Sequence, residues 1–205
     1  MMRGLLASLT LALSVGSANA GLAQNGNEPE WAKQATQSDV VRIEQWRKSL
    51  EAGVKEAKRT GHGHEISKRA PLFAVSVGER DLALPDGRYH CSITKLGGKD
   101  GGGLPYIAYP KFRCMVTSVG KRLQFTKLTG SQMTSGWIYR TNRATGIYLG
   151  TSYYGYEDRA PKYGSDKKRD DAAIVERIGE RRWRMIFPDP YYESVVDVME
   201  LTPIG

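Results

Sequence analysis

Ala172–Leu201 reads AAIVERIGERRWRMIFPDPYYESVVDVMEL. Short runs rich in β-branched and aromatic residues occupy 172–178, 182–187 and 194–201, and Ile178-Gly179-Glu180-Arg181 between the first two is short enough for an antiparallel hairpin. No stretch between these runs could hold a helical crossover, so a parallel sheet is excluded.

The same character extends back to Gly87. Further strands are predicted near 88–96, 110–119, 122–128, 135–140 and 145–152, linked by turns such as Val119-Gly120-Lys121 and Arg140-Thr141-Asn142-Arg143. About eight meandering strands predict an α+β fold dominated by an antiparallel β meander, curled into a barrel or half-barrel because closure removes exposed edges. A two-sheet sandwich is the alternative. An outer-membrane barrel would need an apolar band about 25 Å tall, whereas these short strands carry Arg113, Gln124, Lys127, Glu176 and Arg184.

Upstream, Ile43, Trp46, Leu50, Val54 and Ala57 recur at helical intervals, with Thr36 and Asp39 spaced as a capping box and Gly61 placed to stop the helix. The opposite face mixes Arg42, Glu44, Lys48, Glu51, Lys55 and Arg59, which fits an amphipathic helix docked on a larger body. The chain therefore divides into a poorly ordered lead-in (21–37) and one domain over 38–205. Within the domain we expect a helix (38–60), a connector (61–86) anchored by Leu72 and Phe73, and a barrel (87–203).

Residues 1–20, MMRGLLASLTLALSVGSANA, place Arg3 before an apolar run and end in Ala18-Asn19-Ala20, the pattern of a secretory signal peptide cleaved between Ala20 and Gly21. The expected location is the periplasm or the exterior, with no transmembrane segment in the mature chain. The 205 residues are 40% hydrophobic, enough for one core, and the formal charge is +8. Between Gly87 and Tyr156 ten basic residues face a single acid, Asp100, so this part should carry a positive field that attracts anions.

Export governs the two cysteines. Cys91 and Cys114 are expected to form a disulfide, with Cys91 opposite Cys114, Tyr89 opposite Val116 and Ile93 opposite Phe112 on one apolar face. Ser92 and Lys95 match the S-x-x-K spacing of penicillin-binding enzymes, but residues three apart on a strand point to opposite faces. GGKDGGG (97–103) precedes no helix and reads as a hairpin loop rather than a phosphate cradle. His62, His64 and Glu65 lack a further fixed ligand elsewhere in the chain, and Ser131 lacks a histidine base, so neither a metal nor another cofactor is expected.

The segment Tyr163–Asp171, YGSDKKRDD, sets Asp166, Asp170 and Asp171 among Lys167, Lys168 and Arg169. With Tyr153, Tyr154, Tyr156 and Tyr163, the link from 153 to 171 could cover a barrel mouth. Candidate ligand contacts are Arg122, Lys127, Tyr163, Arg169 and Asp170; no residue is assigned a catalytic role. The leading expectation is a binding module for an anionic or amphipathic small molecule, a lipid or another envelope component. A hydrolase acting at Asp166, Arg169 and Asp170, and an inhibitor or structural partner of an envelope protein, are the alternatives. Nucleic acid is not an expected partner of an exported chain, and oligomeric state stays open.

GRYHCSITKLGG, YPKFRC, KLTGSQ, YLGT, YGSDKKRD, VERIGERRWRMIFP and ESVVDVMELTP, in that order, resemble an exported proteobacterial family catalogued as domain of unknown function 4893. The resemblance covers Trp46 to Pro203 and is most specific in the last third. It implies a shared architecture and an exported location, and no activity. Where the family pattern often has a basic residue after GSQ, this chain has Met133.

Overall fold

A computed structural model describes residues 29–76, 80–99 and 103–205. The expected leader, including Ala20 and Gly21, lies outside the described residues, as does part of the 97–103 loop. The strands are β1 (Gly87–Gly98), β2 (Tyr106–Ala108), β3 (Phe112–Val119), β4 (Arg122–Lys127), β5 (Gln132–Arg140), β6 (Thr145–Tyr154), β7 (Asp170–Gly179), β8 (Arg182–Pro188) and β9 (Ser194–Pro203). All pairings are antiparallel. β1 also pairs with β9, from Tyr89 opposite Pro203 to Gly98 opposite Ser194, which closes the meander into an eight-stranded barrel with β2 as an extra strand.

β1 has three partners. Its first half pairs with β3 and its second half with β2, so β2 and β3 follow one path interrupted around Pro110, which has no N–H for a ladder. The disulfide joins Cys91 and Cys114 as expected, with a Cα–Cα separation of 6.0 Å. The register differs by two residues: Tyr89 lies opposite Cys114 and Cys91 opposite Phe112, so the bridge runs diagonally. Alternation fixes which face a residue takes. The level depends on the connection, and here β2 intervenes where a simple hairpin was assumed.

The helices are α1 (Glu30–Gln34), α2 (Gln37–Glu44), α3 (Trp46–Ala57), α4 (Gly63–Lys68) and α5 (Ala70–Phe73). Thr36 caps α2 by accepting from the Asp39 N–H at 3.3 Å, while the Thr36 N–H donates to the Tyr163 hydroxyl. Gly61 does not end the helical region. With φ of +99° it kinks the path between α3 and α4, a conformation open to glycine. The described parts of the lead-in and the connector thus carry short helices, α1 in the first and α4 and α5 in the second. Trp31 of α1 packs on the apolar cluster beneath the helices, and Leu72 and Phe73 of α5 are buried in it. Among the described residues no helix is long and apolar enough to cross a membrane.

There are two cores. One lies between the helices and the outer wall, where Leu50, Ala57 and Leu72 meet Leu96, Ile186 and Val196. α3 runs over the β1–β9 seam so closely that a Cβ at Gly53 would sit 2.7 Å from a Val196 methyl group and 2.9 Å from the Leu96 Cβ. The other core fills the bore. Tyr89 meets Trp183 edge to face at 6.0 Å, and Phe125 meets Tyr148 at 5.7 Å. Leu82 and Leu84 of the connector plug the base, where the Leu82 carbonyl accepts from the Trp183 indole.

Candidate functional site at the barrel mouth

With the base plugged and the bore packed, the barrel interior opens at the other end, where β1, β4, β6 and β8 finish. A cleft of about 550 Å³ lies there, and a recess of about 110 Å³ leads from it towards the bore. Both are bordered by Gln132, Ser152, Asp171, Pro190 and Asp197. Tyr153 and Tyr154 at the end of β6 form one wall, and Tyr191 and Tyr192 of the β8–β9 link form another.

The strand pattern sets the polar groups at this level. Leu201, Met199 and Asp197 alternate inward along β9, as do Val175, Ala173 and Asp171 along β7, so each aspartate replaces an apolar residue where the bore meets water. Burial pushes both carboxyls up to about 6. At Asp171 the Thr134 hydroxyl, donating at 2.6 Å, opposes this. At Asp197 the opposing groups are Lys95 and the Ser194 hydroxyl, which donates at 2.5 Å. Burial alone would depress Lys95, but Asp197 and Glu193 outweigh it and hold the ammonium above its ordinary value. The charge of Asp197 also raises Asp171, and that of Glu193 raises Asp197.

Three of the five candidate contacts converge on this space. Lys127 borders the recess, its ammonium donating to the Thr129 carbonyl at 2.8 Å and the Gln132 carbonyl at 2.5 Å while lying over the Phe112 ring. Burial pushes it down to about 8. Arg169 borders the cleft, where Glu157 accepts two bonds at 2.7 and 2.9 Å and Tyr154 stacks beneath the guanidinium. Asp170 borders it too, accepting from the Gly164 N–H at 2.9 Å.

The other two lie elsewhere. The Tyr163 hydroxyl accepts from the Thr36 N–H and donates to the buried Asp39 carboxylate, tying the long β6–β7 link to α2. Arg122 stands on the outer wall over Trp137, 3.9 Å from Glu30. The rejected Ser92–Lys95 pair splits as strand geometry requires, and Lys95 proves to be a cleft residue. His62 stacks on Tyr106 at 4.7 Å; among the described residues no group of three or more His, Cys, Asp or Glu could hold a metal ion.

Asp197 and the Tyr191–Tyr192 pair escaped the sequence reading. The signal for Asp197 was present in SVVDVMEL, where an acid interrupts an inward apolar stripe. Tyr191 and Tyr192 gave none, because their place depends on which strand ends share the mouth.

A family model described as Domain of unknown function (DUF4893) matches residues 31–201. The chain belongs to the DUF4893 family. That match runs from α1 into β9, so the DUF4893 unit takes in both the helical layer and the barrel. No curated protein and no solved structure gave a significant match to this DUF4893 chain.

Proposed function

We propose that this DUF4893 protein is an exported, periplasmic binding module that holds a polyhydroxylated, sugar-like ligand at the barrel mouth. The observation that carries the reading is the tyrosine-walled cleft above two inward carboxyls, on a barrel whose bore is otherwise filled. Sugars present apolar C–H faces to aromatic rings and hydroxyl donors to carboxylates, which makes them amphipathic in the sense this lining requires. The balance of charge supports that class over an anion: Asp166, Asp170, Asp171, Glu193 and Asp197 border the cleft, against Lys95, Lys168 and Arg169. The leader-like residues 1–20 and the disulfide support export.

A hydrolase is the second reading, favoured by the carboxyl pair held near pH 6. One protonated carboxyl would donate to the leaving oxygen while the other, ionised, takes a proton from the attacking water. Ligand-observed NMR against neutral mono- and oligosaccharides, with dodecyl phosphate as the contrasting probe, tests both. Binding of a saccharide that is lost in Tyr191→Ala/Tyr192→Ala and weakened in Asp197→Asn supports the module. Growth of reducing-end signals in the same tubes supports the hydrolase. Binding of dodecyl phosphate alone, or binding indifferent to both variants, overturns the sugar assignment.

A further inference from the structure

The end of the barrel opposite the cleft gathers cations from segments far apart in the chain. The connector brings Arg80, the start of β1 brings Arg88, and the β3–β4 turn brings Lys121 and Arg122. Arg140 and Arg143 flank the β5–β6 turn, and Arg177, Arg181 and Arg182 flank the β7–β8 turn. The acids among them, of the described residues, are Asp81, Asp86 and Glu180, while Glu30 lies 3.9 Å from Arg122, Glu200 pairs with Arg182 and Glu176 borders the larger groove. Asp81 is shared by Arg140 at 3.1 Å and Arg143 at 3.3 Å, so one carboxylate answers two guanidiniums. Arg88, Lys121 and Arg181 form no ion pair among the described residues, and all three are exposed.

Two grooves cross this base. One, of about 670 Å³, is bordered by Arg47, Arg80, Arg143 and Arg177; the other, of about 480 Å³, by Arg88, Arg177 and Arg181. Planar guanidiniums match pairs of phosphate oxygens better than a point charge does. The large apolar side chains exposed at this end are Val119 and Ile204, whereas Leu104, Leu128, Tyr154, Tyr156, Tyr191 and Tyr192 are exposed at or near the mouth. With only these two large apolar side chains exposed among the described residues of this end, a base of this kind attaches at headgroup level.

We infer that the base of the barrel docks on a bilayer surface rich in anionic phosphate headgroups. Charge complementarity identifies the occupant: the cations surround the whole end of the barrel, as a plane of phosphates requires, rather than lining one deep pocket. The site shares no residue with the cleft, so it goes beyond the ligand reading and can fail independently of it. Docked this way, the mouth faces away from the membrane and stays open.

Cosedimentation with vesicles tests it. Vesicles of phosphatidylethanolamine with 30% phosphatidylglycerol should bind the protein at low salt and release it in 0.5 M NaCl, while pure phosphatidylcholine vesicles should not bind it. Arg88→Glu/Lys121→Glu/Arg181→Glu should weaken partitioning on the order of tenfold or more, with an unchanged circular dichroism spectrum. Lys111→Glu, exposed at the start of β3 near the mouth end, should leave partitioning near wild type. Equal binding to neutral vesicles, an unaffected triple variant, or equal weakening by Lys111→Glu would overturn the proposal. Preference for duplex DNA or heparin over the anionic vesicles would overturn the lipid assignment. Salt release of the wild-type protein reads the electrostatic attachment without relying on any variant.

Discussion

Arg184 is 0% exposed although it lies on the outward face of β8, because the helices roof it. Its guanidinium donates to Glu176 at 2.9 and 2.5 Å and to the carbonyls of Leu72 at 3.0 Å and Ala74 at 2.6 Å, so one side chain satisfies a carboxylate and the end of α5 together. Burial lowers its pKa and Glu176 opposes that, but a guanidinium remains charged at neutral pH. Arg184→Met keeps much of the volume and removes every donor, stranding Glu176 and the carbonyls. We expect a loss of about 3–5 kcal/mol in urea unfolding. A loss below about 1 kcal/mol would mean that apolar contacts alone hold α5. The sequence showed a charge inside a strand and justified rejecting a lipid-facing barrel. It could not show the roof, which depends on where the helices come to rest.

At the scale of elements, legibility followed the physics of each signal. The stripe through Ile43, Trp46, Leu50, Val54 and Ala57 predicted a buried helical face, and all but the half-buried Val54 are buried. Alternation predicted the inward faces of β1 and β3 and hence the disulfide, while the two-residue slide left every face unchanged and so gave no warning in the residues. Periodicity could not anticipate that a glycine would bend the helical region rather than end it, since α4 and α5 are held by tertiary contacts. The cysteines are 23 residues apart in sequence and clip β1 to β3 where no tight turn joins them. Replacing both by alanine should cost about 3 kcal/mol on the loop-entropy account, read as a lower urea midpoint that reducing agent no longer shifts. A wild-type midpoint unchanged by reductant would show that the bridge contributes nothing beyond its packing.

For the whole molecule, the mouth imposes a pH dependence. Asp171 and Asp197 titrate near 6 in the folded chain and near 3.8 when exposed, so the folded state holds those protons more tightly. Their contribution is therefore full below about pH 4 and is lost as pH rises to about 6, each pKa unit representing about 1.4 kcal/mol. Asp171→Asn keeps an acceptor for Thr134 and removes that titration. The variant should gain stability over wild type between pH 4 and 7, by an amount that levels off above the native pKa. Parallel denaturant curves for the two proteins check it, because the other carboxylates cancel in the difference. A constant offset across that range would show that Asp171 is not buried as a titrating group.

The pairing of β1 with β9 carries one further consequence. Closure joins residues 87–98 to residues 194–203, so the ring cannot be completed while the last ladder residues are still being synthesised. Contacts of such long range form late, after the entropy of closing a loop of roughly a hundred residues has been overcome. Until then the chain is at most an open, twisted sheet with two unpaired edges, in need of protection from self-association. Topology alone thus delays completion of the native state until the carboxyl end arrives, and α3 can then settle across the finished seam.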